Sequence, residues 1–291
     1  MSKYAIITKD LRKSYKRNTE VVKGLNMSVK KGAVYALLGS NGVGKTTTIR
    51  MITGQLAPSS GDIEVFGLEP LAHRKELNAK VAYVAEDQRL YDWMTVDELI
   101  KFVKSFYPNW DDKICEHLLK MFELPRNKKL TDFSRGMYTK AALLAALCRN
   151  PELLILDDPT LGLDTAARRE FMRGVVDAIH EFDRTVIFST HIIPEIEGIV
   201  DHVGIMVDGQ LIADEEIDDM KEAFREIRMP IAEQIQELPG IVDFREAGGD
   251  KIITARGEET EISMMLKKSK IKNYSITPIS LEEIYLALTN R

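Results

Sequence analysis

The segment AVYALLGSNGVGKTTTIR (33–50) spaces Gly39, four residues, then Gly44, Lys45 and Thr46. Glycines so spaced let successive backbone N–H groups turn inward around phosphate oxygens. A helix opening at Lys45 points its positive end at the same place. Lys45 has the reach for β- and γ-phosphates, and the Thr46 hydroxyl is placed for Mg2+. The pattern implies a nucleoside triphosphate. In LLILDDPTLGLD (153–164), four aliphatic residues deliver Asp157 and Asp158 side by side. An acid at the end of a neighbouring strand holds the metal in phosphate-loop enzymes, which assigns Asp157 to Mg2+. RTVIFSTH (184–191) is another apolar run, ending at His191. In DFSRGMYTKAALLAALCRNP (132–151), Ser134 and Gly136 open a long apolar helix. Such a helix start binds anions, although an ordinary N-cap has the same residues.

These side chains need elements to hold them. Val34 to Leu38 reads as a short buried strand that Gly39 breaks. LLIL reads as a second strand, punctuated by Pro151 and Pro159, and RTVIFST as a third. Short apolar strands separated by helices imply an α/β fold with a parallel sheet, whose ligands gather at the carboxyl ends of the strands. The chain of 291 residues can bury one large core, or one core and an appendage. Its 44% hydrophobic and 29% charged content is ordinary for a soluble globular protein. A net charge of −5 argues against a generic nucleic-acid binder. Cys115 and Cys148 lack CxxC spacing and suit a reducing compartment. The apolar stretch AALLAAL (141–147) is far too short to span a bilayer, and the charged N-terminus is no signal peptide, so a cytosolic location is expected.

Over about residues 3–215 the chain resembles the ATP-binding subunit of an ABC transporter. GSNGVGKTT resembles that family's first nucleotide motif, so Gly39, Ser40, Asn41, Gly42, Val43, Gly44, Lys45, Thr46 and Thr47 are implied to surround ATP. FSRGM stands at the signature, LLILDDPT at the second nucleotide motif, LGLD with Asp164 at the D-loop, and STH at the histidine switch. The resemblance implies a P-loop NTPase core, residues 1–215, with a helical subdomain over about 86–150. It also implies a head-to-tail pair of cassettes, homodimeric or heterodimeric. Each Mg-ATP would touch the phosphate loop of one chain and Ser134, Arg135 and Gly136 of the other. Tyr15, taken as a helix-start tyrosine, matches the position that stacks on adenine; a packed or exposed tyrosine is the plain alternative. Single-cassette chains of this family serve a separate integral membrane permease, which implies a peripheral place on the cytoplasmic face of the cell membrane.

Three departures from the family pattern stand out, the first of them covering two residues. Arg135 and Met137 replace a glycine and a glutamine of the signature. Glu86, in YVAEDQRLY, stands where a glutamine faces the metal, with Gln88 two residues out of register. Asp158 stands where a glutamate orients the attacking water and His191 contacts the γ-phosphate. Asp158 is one methylene shorter, about 1.5 Å of reach, so ATP binding is expected intact and hydrolysis slowed.

Residues 86–124 are aromatic-rich, and Thr95-x-x-Glu98 reads as a capping box. Tyr91, Trp93 and Met94 are candidates for the groove that the resemblance assigns to the permease, or for core packing. Residues 216–291, linked near 215–240, carry no nucleotide motif. They read as a small C-terminal α+β accessory domain with strands in IVDFRE, KIITAR and YSITPI and a final helix capped at Ser280. The function implied is an ATPase powering a membrane exporter. The alternatives are a slow ATP-dependent signalling clamp and a soluble switch acting without transport.

Overall fold

The computed structural model describes residues 2–16, 19–182, 184–233, 240–269, 271 and 273–290. The chain divides into two compact units, Met1–Asp214 and Glu215–Arg291.

In the first unit, a three-stranded antiparallel sheet runs in the order β2 (Thr19–Lys30), β1 (Tyr4–Lys16), β4 (Ser60–Val65). A six-stranded sheet runs β5 (Val81–Val84), β6 (Leu153–Asp157), β7 (Thr185–Thr190), β3 (Val34–Leu38), β8 (His202–Val207), β9 (Gln210–Glu216). Strands β5, β6, β7, β3 and β8 pair in parallel. Every residue of β3, β6 and β7 is buried, as the unbroken apolar runs require of strands covered on both faces. Helix α1 (Lys45–Ile52) shares one core with both sheets, through Ile49, Met51 and Ile52 packed with Leu11, Val22, Leu37 and Ile155. A buried aliphatic side chain of this kind contributes about 1.5–3 kcal/mol, so the loop before α1 is held at both ends by core packing.

Register decides what the sheet presents. Leu38 of β3 pairs with Thr190 of β7, and Asp157 of β6 pairs with Ser189 of β7. Val84 of β5 pairs with Leu156 of β6. The carboxyl ends of four adjacent strands therefore stop level, each about 4.8 Å from the next.

Helices lie between β5 and β6 in the chain. Helix α2 (Arg74–Lys80) leads into β5. After β5 come α3 (Val96–Lys104), α4 (Asp112–Met121) and α5 (Arg135–Leu147). The capping box at α3 forms: Thr95 N–H donates to Glu98 Oε2 at 2.8 Å, and Glu98 N–H to Thr95 Oγ1 at 3.3 Å. Helix α5 is buried from Lys140 to Leu147, the long apolar run that the sequence showed. Helix α6 (Thr165–Phe182) connects β6 to β7.

In β8, Gly204 leaves room for a buried hydroxyl. The Tyr35 hydroxyl, fully buried, donates to Asp214 Oδ1 at 2.8 Å, and His202 Nε2 lies 2.9 Å from the same oxygen. A Cβ on Gly204 would sit 2.0 Å from that hydroxyl. Gly204→Ala is expected to destabilise the protein by about 2–3 kcal/mol, from overpacking plus a lost buried hydrogen bond. Urea unfolding reads this, and a change below about 0.5 kcal/mol would contradict it.

In the second unit, α7 (Ile217–Ala223) leads into β10 (Phe224–Pro230), so residues 215–230 form regular elements where a linker was expected. Strands β11 (Ile241–Ala247), β12 (Asp250–Arg256), β10 and β13 (Ser275–Pro278) pair antiparallel in that order. Ile227, Met229, Ile253 and Ala255 from the sheet pack with Ile262 and Leu266 of α8 (Glu259–Lys268). Helix α9 (Leu281–Thr289) starts in the Ser280–Glu283 capping box.

Candidate nucleotide site

The loop 39–44 follows β3, and two of its glycines hold positive φ, +85° at Gly42 and +113° at Gly44. At Gly44 a Cβ would also meet the Val21 carbonyl at 2.8 Å, so backbone angle and close approach both exclude a side chain. Lys45 opens α1 and turns back across the loop. Its Nζ donates to the Gly39 carbonyl at 2.7 Å and to the Ser40 carbonyl at 3.2 Å. Burial lowers the Lys45 ammonium below the usual lysine value, opposed in decreasing order by the Asp158, Asp157 and Glu86 carboxylates. A buried cation thus faces three carboxylates delivered by β5 and β6. Thr46 follows, half-buried in the first turn of α1.

Asp157 ends β6 and is 1% exposed. Its Oδ2 accepts from the Tyr83 hydroxyl at 3.2 Å, while Oδ1 is buried with no hydrogen-bond donor among the described residues. Burial, then the facing Asp157, raises the Tyr83 hydroxyl, so it stays a donor. A buried carboxylate oxygen without a donor fits a divalent cation, since leaving it bare is costly. A cation held by Asp157, the Thr46 hydroxyl and the nucleotide's own oxygens matches the oxygen chemistry of Mg2+.

Asp158 turns the chain at φ +42°, where Asp and Asn are the favoured residues after glycine. Its N–H donates to the Ser189 carbonyl at 2.7 Å, and its carbonyl accepts from Leu161 N–H at 3.1 Å. The Thr160 hydroxyl donates to Glu195 Oε2 at 2.8 Å, and Arg168 Nε lies 2.7 Å from Glu195 Oε1. With its backbone fixed, Asp158 places Oδ1 2.8 Å from His191 Nδ1. An ionised carboxylate only accepts, so Nδ1 carries the hydrogen. The Nε2 edge of the neutral ring then accepts, and donates only when the ring is doubly protonated. Asp158 Oδ2 makes no hydrogen bond within the chain among the described residues.

Other expected residues fall differently. Tyr15 lies in β1, not at a helix start: YAIITKDLRKSYK runs as one strand, paired with β2 along its length and with β4 from Ile6 to Arg12. Its ring is 54% exposed, with the hydroxyl 3.3 Å from Thr47 Oγ1 and Lys13 Nζ 5.7 Å from the ring centroid. Ser134 caps α5 through Oγ, which accepts from Met137 N–H at 3.3 Å. Arg135 turns onto the chain's own Gly162: a Cβ there would meet its guanidinium at 2.1 Å. Asp164 caps α6, accepting from Ala166 and Ala167 N–H at 2.9 and 2.8 Å. No hydrogen bond among the described residues joins Ser134, Arg135 or Gly136 to the loop 39–46. Glu86 is exposed, and Gln88 turns back to its own Ala85 N–H at 3.4 Å. Tyr83 and Glu195 join the site unannounced; a tyrosine inside the apolar strand VAYV was the one signal available.

The cradle at the carboxyl edge of a parallel sheet is that of a phosphate-loop NTPase. A family model described as ABC transporter matches residues 22–161. The bacitracin transport ATP-binding protein BcrA of Bacillus licheniformis is 38% identical over 225 residues, 76% of this chain and 72% of that one. The ABC transporter ATP-binding protein YtrB of Bacillus subtilis is 28% identical over 274 residues, 92% of each chain, a match that reaches well into the Glu215–Arg291 unit. A solved structure titled as the ATP-binding subunit of an ABC transporter aligns with TM-score 0.67 and 28% identity, over 75% of this chain and 92% of that one. The chain belongs to the ABC transporter family, among its ATP-binding subunits. No helix among the described residues is long and apolar enough to cross a membrane.

Proposed function

We propose that this chain is the ATP-hydrolysing subunit of a membrane exporter, working as a head-to-tail pair that ATP closes and hydrolysis reopens. The observation that carries the reading is the gathering of Lys45, Asp157, Asp158 and His191 just beyond the level ends of three adjacent strands, β3, β6 and β7. Likeness to a bacitracin transport protein supports transport as the use of that ATP. In this reading the loop 39–44 and Lys45 grip the β- and γ-phosphates. Thr46, Asp157 and Glu86 face the metal, and bound Mg2+ supplies charge neutralisation at the phosphate oxygens. Asp158 orients water through Oδ2 while Oδ1 fixes His191, whose Nε2 donates to the γ-phosphate when the ring is doubly protonated. Tyr15 offers its exposed ring to the adenine. Ser134 and Gly136, with Arg135 and Asp164 beside them, serve the nucleotide of a second cassette, consistent with their separation from their own chain's loop.

The permease is assigned to a groove of about 340 Å³ lined by Tyr91, Phe102, Phe106, Tyr107 and Arg149. Beside it Trp93 is 64% exposed, its ring 5.0 Å from Tyr91. An exposed indole adds little to the fold, whereas interface aromatics often contribute 2 kcal/mol or more on binding. Trp93→Ala is expected to weaken retention of the permease at least about tenfold with the thermal midpoint unchanged. Co-purification from solubilised membranes reads this, and an unaltered complex would move Trp93 to a packing role. The function itself is tested by phosphate release from ATP by the chain alone and with its permease in vesicles. No turnover in either setting would sink it.

A further inference from the structure

The segment after β5 carries Glu86 and closes on itself, Gln88 N–H donating to the Ala85 carbonyl at 3.1 Å. Beyond that turn the chain is fastened on both sides of Ser134. Upstream of Ser134, Leu130 N–H donates to the Met94 carbonyl and Thr131 N–H to the Asp92 carbonyl, both at 2.9 Å. Downstream, one turn into α5, stands Tyr138, whose own N–H donates to the Ser134 carbonyl at 2.9 Å. Its hydroxyl accepts from Leu90 N–H at 2.5 Å and lies 3.0 Å from Asp92 Oδ1. The Leu90 carbonyl is farther, at 3.4 Å. A phenol has one hydrogen, and the nearer, charged oxygen of Asp92 takes it. The hydroxyl thus accepts from a backbone and donates to a carboxylate of one segment, from a helix that starts at Ser134.

The ring stands in a cleft of about 570 Å³ shared by Glu86, Gln88, Arg135 and Leu161. Burial raises the Tyr138 hydroxyl above the usual tyrosine value, so it remains a donor to Asp92. Two backbone ties before Ser134 and one side-chain clamp after it leave the Glu86 segment and the Ser134 turn little freedom to move apart. Only the clamp can be removed without touching the backbone.

We infer that Tyr138 is a positioning residue: its hydroxyl locks the segment carrying Glu86 to the helix start carrying Ser134, so that a shift at one sets the other. The inference rests on the ATPase reading above, in which Glu86 faces the metal of one nucleotide and Ser134 the phosphates of the other. Tyr138 touches no nucleotide in this scheme. Its removal therefore acts on turnover and spares the binding of nucleotide by the loop 39–46.

The test uses the purified full chain and measures ATP turnover at saturating ATP, nucleotide affinity and thermal midpoint. Tyr138→Phe keeps the ring and removes the clamp. Its kcat is expected to fall at least about fivefold with nucleotide affinity within about twofold of wild type. Asp92→Ala, which leaves the Leu90 N–H bond to the hydroxyl in place, should fall less than Tyr138→Phe, the double variant no further than Tyr138→Phe alone, and Asp92→Asn, which keeps an acceptor oxygen, should recover most of the rate. A Tyr138→Phe protein with wild-type kcat would overturn the inference, as would a loss shared equally by turnover and affinity, or a double variant that multiplies the single losses. Absence of wild-type turnover both alone and with the permease in vesicles would overturn the ATPase reading and this one together; a normal wild-type rate matched by Tyr138→Phe overturns only the role of Tyr138.

Discussion

Asp158→Asn slows ATP turnover by about a hundredfold or more and leaves nucleotide affinity within a few-fold of wild type. The substitution is clean for a structural reason. Asp158 sits at φ +42°, a conformation that Asn shares with Asp at little strain. Its backbone contacts to Ser189 and Leu161 do not involve the side chain. Asn can still offer Oδ1 to His191 Nδ1, but its second atom becomes an amide donor and can no longer accept a hydrogen from water. The contacts of Lys45 to Gly39 and Ser40 lie elsewhere in the loop, so binding survives. Phosphate-release kinetics beside a fluorescent-nucleotide titration separate the two quantities. If the Asn protein turned over ATP at the wild-type rate, Asp158 would not be the water-orienting group. Asp158→Glu adds about 1.5 Å of reach and is expected to leave kcat equal or higher. It places an ordinary side chain at positive φ, for which about 1 kcal/mol of stability should be lost. His191→Ala should lower turnover more than affinity, because the contact it breaks is the one to Asp158 Oδ1.

What the sequence made legible is what spacing alone encodes. The five residues Val34–Leu38 and the glycines after them are a strand and a turn whatever surrounds them, and Lys45 opens α1 where the pattern predicts. LLIL-Asp157 is likewise a strand with an acid at its tip. Once such strands pair in parallel, their ends come level, and the site follows from register. Both capping boxes, at Thr95 and Ser280, were legible because a cap is a contact between residues three apart. Contacts across tens of residues left no local mark. Tyr83 reaches Asp157, Thr160 reaches Glu195, and Tyr138 reaches Leu90 and Asp92 through tertiary packing that no short pattern announces. Tyr15 was misplaced on a helix because its charged flank, LRKSYKRN, carries no strand alternation, and the strand there is set by its irregular pairing with β2. Arg135 shows the reverse limit. Its position drew attention as a departure, but only the coordinates show its guanidinium lying against Gly162.

Lys45→Ala removes nucleotide binding that Asp158→Asn preserves, with affinity falling at least about a hundredfold. Lys45 Nζ is the cation of the loop, held 2.7 Å from one carbonyl and 3.2 Å from the next. Asp158, Asp157 and Glu86 all act on it, so deleting the ammonium leaves three carboxylates facing an incoming polyanion. A charge-assisted hydrogen bond contributes about 1.5–3 kcal/mol, and an unscreened pair at about 4 Å and an effective dielectric near 20 about 4 kcal/mol. The second figure exceeds the 2.7 kcal/mol or so that a hundredfold loss represents, and the first reaches it at its upper end before the added repulsion is counted. Backbone N–H groups of the loop and the start of α1 still attract phosphate, which is why the loss is finite. Lys45→Arg should not rescue it: a planar guanidinium cannot take the place of a compact ammonium wedged between the Gly39 and Ser40 carbonyls. Titration of the two Lys45 variants with nucleotide and Mg2+ decides the matter, and an Ala variant that binds within threefold of wild type would remove Lys45 from the site. Compared with Asp158→Asn, the result also orders the chemistry: a protein that binds without turning over and one that does neither show that grip and water activation reside on different strand ends of one sheet.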